Sequence, residues 1–164
     1  MDAFEQVVAI PMIISGGQTG ADRAALDWAI AHNVPHGGWC PRGRLAEDGP
    51  IPSIYALHET ATSRYPERTE RNIVESDGTF IFSLTDTVEG GTKLTADLVR
   101  RHRKPLLLIS AETKRDHAAG LRRFVAEQGI RRLNVAGPRA SKEPRVGEFV
   151  KQVLEEAFFP TTSG

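Results

Sequence analysis

Short apolar runs alternate with helix-length amphipathic stretches along nearly the whole chain, and this alternation restricts its fold more than any other feature. Met12-Ile13-Ile14-Ser15, Thr79-Phe80-Ile81-Phe82-Ser83, Leu106-Leu107-Leu108-Ile109 and Arg132-Leu133-Asn134-Val135-Ala136 are four such runs. Each is too short for a helix, and the first and last stop at Gly16-Gly17 and Gly137-Pro138. Such runs fit strands of a parallel sheet buried on both faces. His36-Gly37-Gly38-Trp39 reads as a short fifth strand. Ala21 to Ala31, Thr92 to Arg103, a segment around Leu121, Phe124 and Val125, and Val146 to Phe158 read as helices. In the last, Val146, Phe149, Val150, Val153, Leu154, Ala157 and Phe158 recur at the spacing of one helix face. The alternation predicts an α/β fold: a doubly wound, mostly parallel sheet of about five strands, Rossmann-like, in a single domain. A length of 164 residues suits one such domain.

Charge and composition narrow the function. Lys plus Arg number 21 and Asp plus Glu number 21, so no broad basic face is available for nucleic acid. A single cysteine, Cys40, excludes an internal disulfide and a multi-cysteine zinc site. The longest apolar run, Val7 to Ile14, is broken by Pro11 and falls short of the roughly 18 residues of a membrane span. The opening Met1-Asp2-Ala3-Phe4-Glu5 is acidic where a signal peptide needs positive charge. The expectation is a cytoplasmic protein with neither membrane nor nucleic acid as partner. Residues 40–66 depart from the regular pattern: they hold four of the ten prolines, with Tyr55, Leu57, Glu59 and Ala61 hinting at a strand. This stretch reads as a flap beside a site, or as a plain surface loop.

In a doubly wound sheet, ligands bind where strands end. Three loops stand out there. Ser15-Gly16-Gly17-Gln18-Thr19-Gly20-Ala21-Asp22 has the glycines to turn tightly and bring backbone N–H groups to an anion at a helix N-terminus. The same residues also suit a tight turn with Thr19 and Asp22 as a capping box. Glu89-Gly90-Gly91-Thr92-Lys93 repeats the arrangement before another helix, with Thr92 as N-cap. Gly137-Pro138-Arg139 follows the last strand and puts a guanidinium at the ligand edge, where it suits phosphate or carboxylate. Arg42, Arg44, Arg68 and Arg71 are further candidates, and Arg71 is expected at the same edge. Trp39, at a strand end, suits ring stacking or core packing. No nucleophile elbow is present, and the five histidines lack metal-ligand spacing. Glu47, Asp48 and Glu59 in the flap are the candidates for acid–base catalysis.

Six blocks carry a family resemblance: Gly16-Gly17-Gln18-Thr19-Gly20-Ala21-Asp22, Gly38-Trp39-Cys40-Pro41-Arg42-Gly43-Arg44, Ala46-Glu47-Asp48-Gly49, Ser76-Asp77-Gly78-Thr79, Glu89-Gly90-Gly91-Thr92 and Asn134-Val135-Ala136-Gly137-Pro138-Arg139. From about Ile13 to Phe158 the chain resembles the family named "putative molybdenum carrier". That family is similar to a Rossmann-like superfamily shared by molybdenum-cofactor carrier proteins and lysine-decarboxylase-like phosphoribohydrolases. The resemblance implies a nucleotide, or a nucleotide-derived or molybdopterin-type ligand, bound at the strand ends. The enzyme branch carries Pro-Gly-Gly-x-Gly-Thr-x-x-Glu. Aligning its Gly-Thr on Gly91-Thr92 puts Thr95 where the signature Glu belongs.

The reading is therefore a carrier or sensor of a small phosphorylated ligand, with molybdenum cofactor or a nucleotide as the bound group. The N–H groups of Gly16 to Gly20 and Gly90 to Thr92 hold the phosphate, and Arg71 and Arg139 add charge. A bulky β-branched residue at Gly17 is expected to abolish binding without unfolding the protein. One alternative is an N-glycosidic hydrolase of the phosphoribohydrolase type using the flap carboxylates. Another is a module for free molybdate. Mg²⁺ beside a phosphate remains open, and a homo-oligomer, dimer or tetramer, is the expectation for this fold.

Overall fold

Residues 8–160, the part of the chain described by the computed structural model, form seven strands and five helices. The strands are β1 (Met12–Ile14), β2 (His36–Gly37), β3 (Trp39–Cys40), β4 (His58–Glu59), β5 (Gly78–Ser83), β6 (Leu106–Ser110) and β7 (Arg132–Ala136). The helices are α1 (Ala21–Ala31), α2 (Tyr65–Val74), α3 (Gly90–Arg101), α4 (His117–Gln128) and α5 (Val146–Phe158). Five strands form one sheet in the order β2-β1-β7-β5-β6, every neighbouring pair parallel. Counted from β5 through β7 and on to β1 and β2, the order becomes 2-1-3-4-5, a doubly wound arrangement. The chain runs through that arrangement as a circular permutation: it enters at the fourth position and finishes its sheet at the third.

Strand alternation divides the side chains between two unequal faces. Phe80 and Phe82 of β5, Leu133 and Val135 of β7, and Ile13 of β1 pack with α1, α4 and α5 in the main core. Alanines 21, 24, 25 and 29 let α1 approach closely, and α1 packs along α5. The other face is covered by α2 and α3, whose buried apolar cluster is only Ile73, Leu98 and Val99. Two polar residues sit in otherwise apolar strands: Asn134 Nδ2 donates to Thr79 Oγ1 at 3.2 Å, and both are buried. Buried polar groups need partners, and here the partners are each other.

Several local expectations change. α1 is capped at its N-terminus by Gly20 with no side-chain bond, so the capping box of Thr19 and Asp22 does not form. α3 starts at Gly90, which places Thr92 inside the helix and leaves Glu89 as N-cap. The first half of α2 escapes the apolar period because its buried residues are only Asn72 and Ile73. Residues 40–66 are ordered by a small core in which Cys40, Ile51 and Tyr55 pack on Leu26 of α1. At its centre the Arg44 guanidinium donates to the carbonyls of Ile51 (2.9 Å), Pro52 (2.8 Å), Tyr55 (2.8 Å) and Leu57 (3.3 Å). One charged side chain thereby satisfies carbonyls that a loop without ladders would leave unpaired.

Candidate functional site

β5 and β7 are neighbours; the chain leaves β5 for β6 on one side, and leaves β7, whose other neighbour is β1, for α5, which packs on α1 and α4. Such a switch opens a crevice at the carboxyl ends of the strands. A cleft of about 470 Å³ lies there. Its floor is Asn134 to Ala136 and Ser83; its walls are the β1–α1 loop, α2, the start of α3 and the loop after β7.

The α3 wall presents backbone donors. Gly90 takes φ 59, and Glu89 gives no side-chain cap, so the first-turn N–H groups of Gly90, Gly91 and Thr92 have no side-chain acceptor. All three residues line the cleft, and a Cβ on Gly90 or Gly91 would meet nothing within 4 Å. An uncapped helix N-terminus carries roughly half a positive charge. Thr95, one turn further on, also lines the cleft; its hydroxyl donates to the Gly91 carbonyl at 2.9 Å.

The facing wall is the β1–α1 loop. Gly16, Gln18 and Asp22 line the cleft. Gly17 does not: at φ 79 a Cβ there would come within 2.7 Å of Leu57 and 3.0 Å of Ile51, on the side of the flap core. A β-branched residue at Gly17 would therefore strain the fold rather than obstruct the cleft alone. Gly20 is wedged against the loop after β7, whose Pro138 carbonyl accepts from Ala21 N at 3.1 Å. Thr19 points away from the cleft as well, bonding Glu47 and accepting from Ala140 N at 3.1 Å.

Arg68 of α2, more than Arg71, supplies positive charge to the cleft. Arg68 lines it and its Nη1 lies 3.2 Å from Asp22 Oδ2. Burial pushes the Asp22 carboxyl up to about 6, against the opposing pull of Arg68, the Gln18 backbone N–H and Arg23. Arg71 lies outside the lining: it covers the Trp39 ring at 4.0 Å and bonds Glu75 at 3.1 Å. Trp39 is thus occupied by Arg71 on its ring and tilted against His58, away from the cleft. Gly137 and Arg139 line the cleft on the β7 side.

The three flap carboxylates hold the flap in place and lie outside the cleft lining. Glu47 accepts from the Thr19 hydroxyl and from Ser141 Oγ at 2.5 Å and N at 3.1 Å, with Arg139 Nε at 3.6 Å. The Ser141 and Thr19 hydroxyls hold its carboxyl below the usual range. Asp48 pairs with Arg23 at 2.7 Å, and Glu59 accepts from Gly43 N at 2.7 Å. Glu47→Ala is expected to cost roughly 1–3 kcal/mol. Amide exchange should show residues 41–62 opening faster while β5 and β7 keep their protection. The carboxylates that do line the cleft are Asp22, Glu89 and Glu143, and Glu143 accepts from Leu84 N at 2.9 Å. Among the described residues no group of three His, Cys, Asp or Glu side chains is placed to hold a metal ion.

Sequence reasoning passed over Tyr65, Asn72, Asn134 and Glu143, all in the lining. Asn134 carried a usable signal, a polar side chain in the middle of an apolar strand. Asn72 carried none: it bonds both backbone groups of Trp39, at 2.7 and 2.9 Å, a pairing only the fold creates.

The permuted strand order agrees with the family to which the chain is similar. Residues 13–158 match the model of the family described as "Circularly permutated YpsA SLOG family". The chain belongs to this circularly permutated YpsA SLOG family. A solved structure of a protein from Syntrophus aciditrophicus SB, named "Putative molybdenum carrier protein", is 45% identical, with a TM-score of 0.87, over 93% of this chain and 96% of that one. No curated protein matches the chain. The family match spans all five strands of the main sheet except the first residue of β1, and it includes every wall of the cleft. Among the described residues no helix is long and apolar enough to cross a membrane.

Proposed function

We propose that the cleft binds a phosphorylated nucleotide-like or molybdopterin-type ligand and that the protein acts as its carrier or sensor. One observation carries this reading. The uncapped N–H groups of Gly90, Gly91 and Thr92 face, across one cleft, the glycine loop of β1 and the guanidinium of Arg68. Phosphate is the group that backbone donors at a helix N-terminus and an arginine fork both suit. A cleft of about 470 Å³ has the size of a small-molecule site. The name of the Syntrophus protein favours a carrier, and Thr95 at the position of the enzyme-branch Glu points the same way.

Gly91 separates binding from folding. It is not in the left-handed region and its Cβ direction is open. Gly91→Ala should leave phosphate-ligand affinity within a few-fold. Gly91→Asp places an anion in the first turn, which suits the helix dipole by about 0.3–1 kcal/mol. It should also repel the ligand and lower affinity at least tenfold. Native mass spectrometry of the purified protein, and calorimetry of both variants with AMP and with the released ligand, test this. Equal affinity in Gly91→Asp and wild type would remove α3 from the site.

A further inference from the structure

We propose that Asp22 and Arg68 exchange partners when the cleft takes up a doubly charged oxyanion: the anion accepts from the Arg68 guanidinium, and the Asp22 carboxylate, stripped of its counter-ion, takes up a proton from solvent. This deepens, and rests on, the reading of the cleft as an anion site.

The pair is placed for such an exchange. Both residues line the cleft, with side chains only 12% (Arg68) and 10% (Asp22) exposed. A single contact at 3.2 Å joins them, from one terminal nitrogen of the guanidinium. The Arg68 Nε is buried without an acceptor, so the fork has donor capacity that Asp22 does not use. A buried unpaired donor is costly, and an anion with several oxygens would relieve it. Gly16 leaves the guanidinium its place: a Cβ at that position would lie 1.8 Å from Nη1.

The charges around Asp22 decide which way the proton moves. Arg68 from α2 and Arg23 from α1 favour the carboxylate, as does the Gln18 N–H of the β1–α1 loop. Arg23 is committed to Asp48 at 2.7 Å. Burial opposes all of them and already holds the carboxyl at about 6 with Arg68 in contact. From the other walls, Glu89, Arg139, Lys142 and Glu143 face the same cleft. Arg68 is the strongest of the groups that keep Asp22 ionised. Giving its charge to an arriving dianion removes that support and adds a like charge, and both changes favour protonation. The protein then binds its anion together with a proton, and the neutral Asp22 becomes a hydrogen-bond donor in the cleft.

Sulfate is the probe, because it stays a dianion across the relevant pH range. The Asp22 carboxyl carbon, assigned by its absence in Asp22→Asn, is titrated by NMR in the full chain in sulfate and in chloride of matched ionic strength. Its midpoint should rise by about one pH unit or more in sulfate. Wild-type sulfate affinity should fall as pH rises from the chloride midpoint to the sulfate midpoint, about tenfold for each unit that separates the two, and level off above, whereas Asp22→Asn should bind sulfate with no such slope. An Asp22 midpoint equal in both salts, with the Gly90–Thr92 amides shifting, would overturn the exchange and leave the anion site standing. If neither the carboxyl nor those amides respond, the exchange and the anion site both fall.

Discussion

Gly20→Ala is expected to cost about 3–5 kcal/mol, the sum of a glycine-only backbone and a backbone collision. Gly20 sits at φ 83 and ψ −129, where a side chain is strained whatever the space. The space is also missing: an added Cβ would lie 2.4 Å from the Pro138 carbonyl oxygen and 2.7 Å from Ala140 N. Those are main-chain atoms of the loop after β7, which cannot swing aside as a side chain does. Urea unfolding would show the midpoint dropping sharply. Gly49→Ala is the control, since it shares a positive φ but meets nothing within 4 Å. Similar losses in the two variants would show that strain alone, and not the seam between the two loops, sets the cost.

The second large effect is a dependence of stability on pH that Asp22→Asn removes. Asp22 has its carboxyl raised from 3.8 to about 6 in the folded state, so the folded protein holds this proton more tightly than the unfolded chain. Its contribution is therefore fully present below about 3.8 and is lost as pH rises through about 6. At 1.36 kcal/mol per unit, the loss is roughly 3 kcal/mol. Glu47 and Asp48, held below their usual range by hydrogen bonds, act in the opposite sense and lose stability as pH falls. A wild-type curve alone mixes these effects, whereas the difference between wild type and Asp22→Asn isolates one. Asp22→Asn should gain on the wild type by about 2–3 kcal/mol between pH 4 and pH 7 in denaturant titrations. A difference independent of pH would mean that the carboxyl titrates alike in the folded and unfolded states.

The fold was legible because its strands and helices announce themselves locally. The run Thr79 to Ser83 and the face of α5 from Val146 to Phe158 need no partner to be recognised by their period. The order of the strands was not legible, since no local pattern tells β7 to insert between β1 and β5. The cleft was half legible. The glycine pair at a helix start points to exposed N–H groups from sequence alone, and the structure puts Gly90 to Thr92 in the lining. Arg68 and Arg71 differ by three residues on one helix, and only packing decides that one faces the cleft and the other Trp39. Glu47, Asp48 and Glu59 looked free because their partners, Thr19, Ser141, Arg23 and Gly43, lie up to 94 residues away.

The permuted strand order also sets a schedule for synthesis. β1 has β2 on one side and β7 on the other, so the middle of the sheet joins residues 12–14 to residues 132–134. A ribosome delivers the first of these long before the second. During that interval β5 and β6 can pair through α3, but the β1–α1–β2 unit has no edge of that sheet to join until β7 emerges. The apolar face of α1 made by Ala21, Ala24, Ala25, Trp28 and Ala29 must wait for α5 as well. Contacts so distant in sequence slow folding and prolong exposure of unpaired strands. In the nascent chain β1 and α1 are thus made before the elements described after them, yet are among the last to be sheltered.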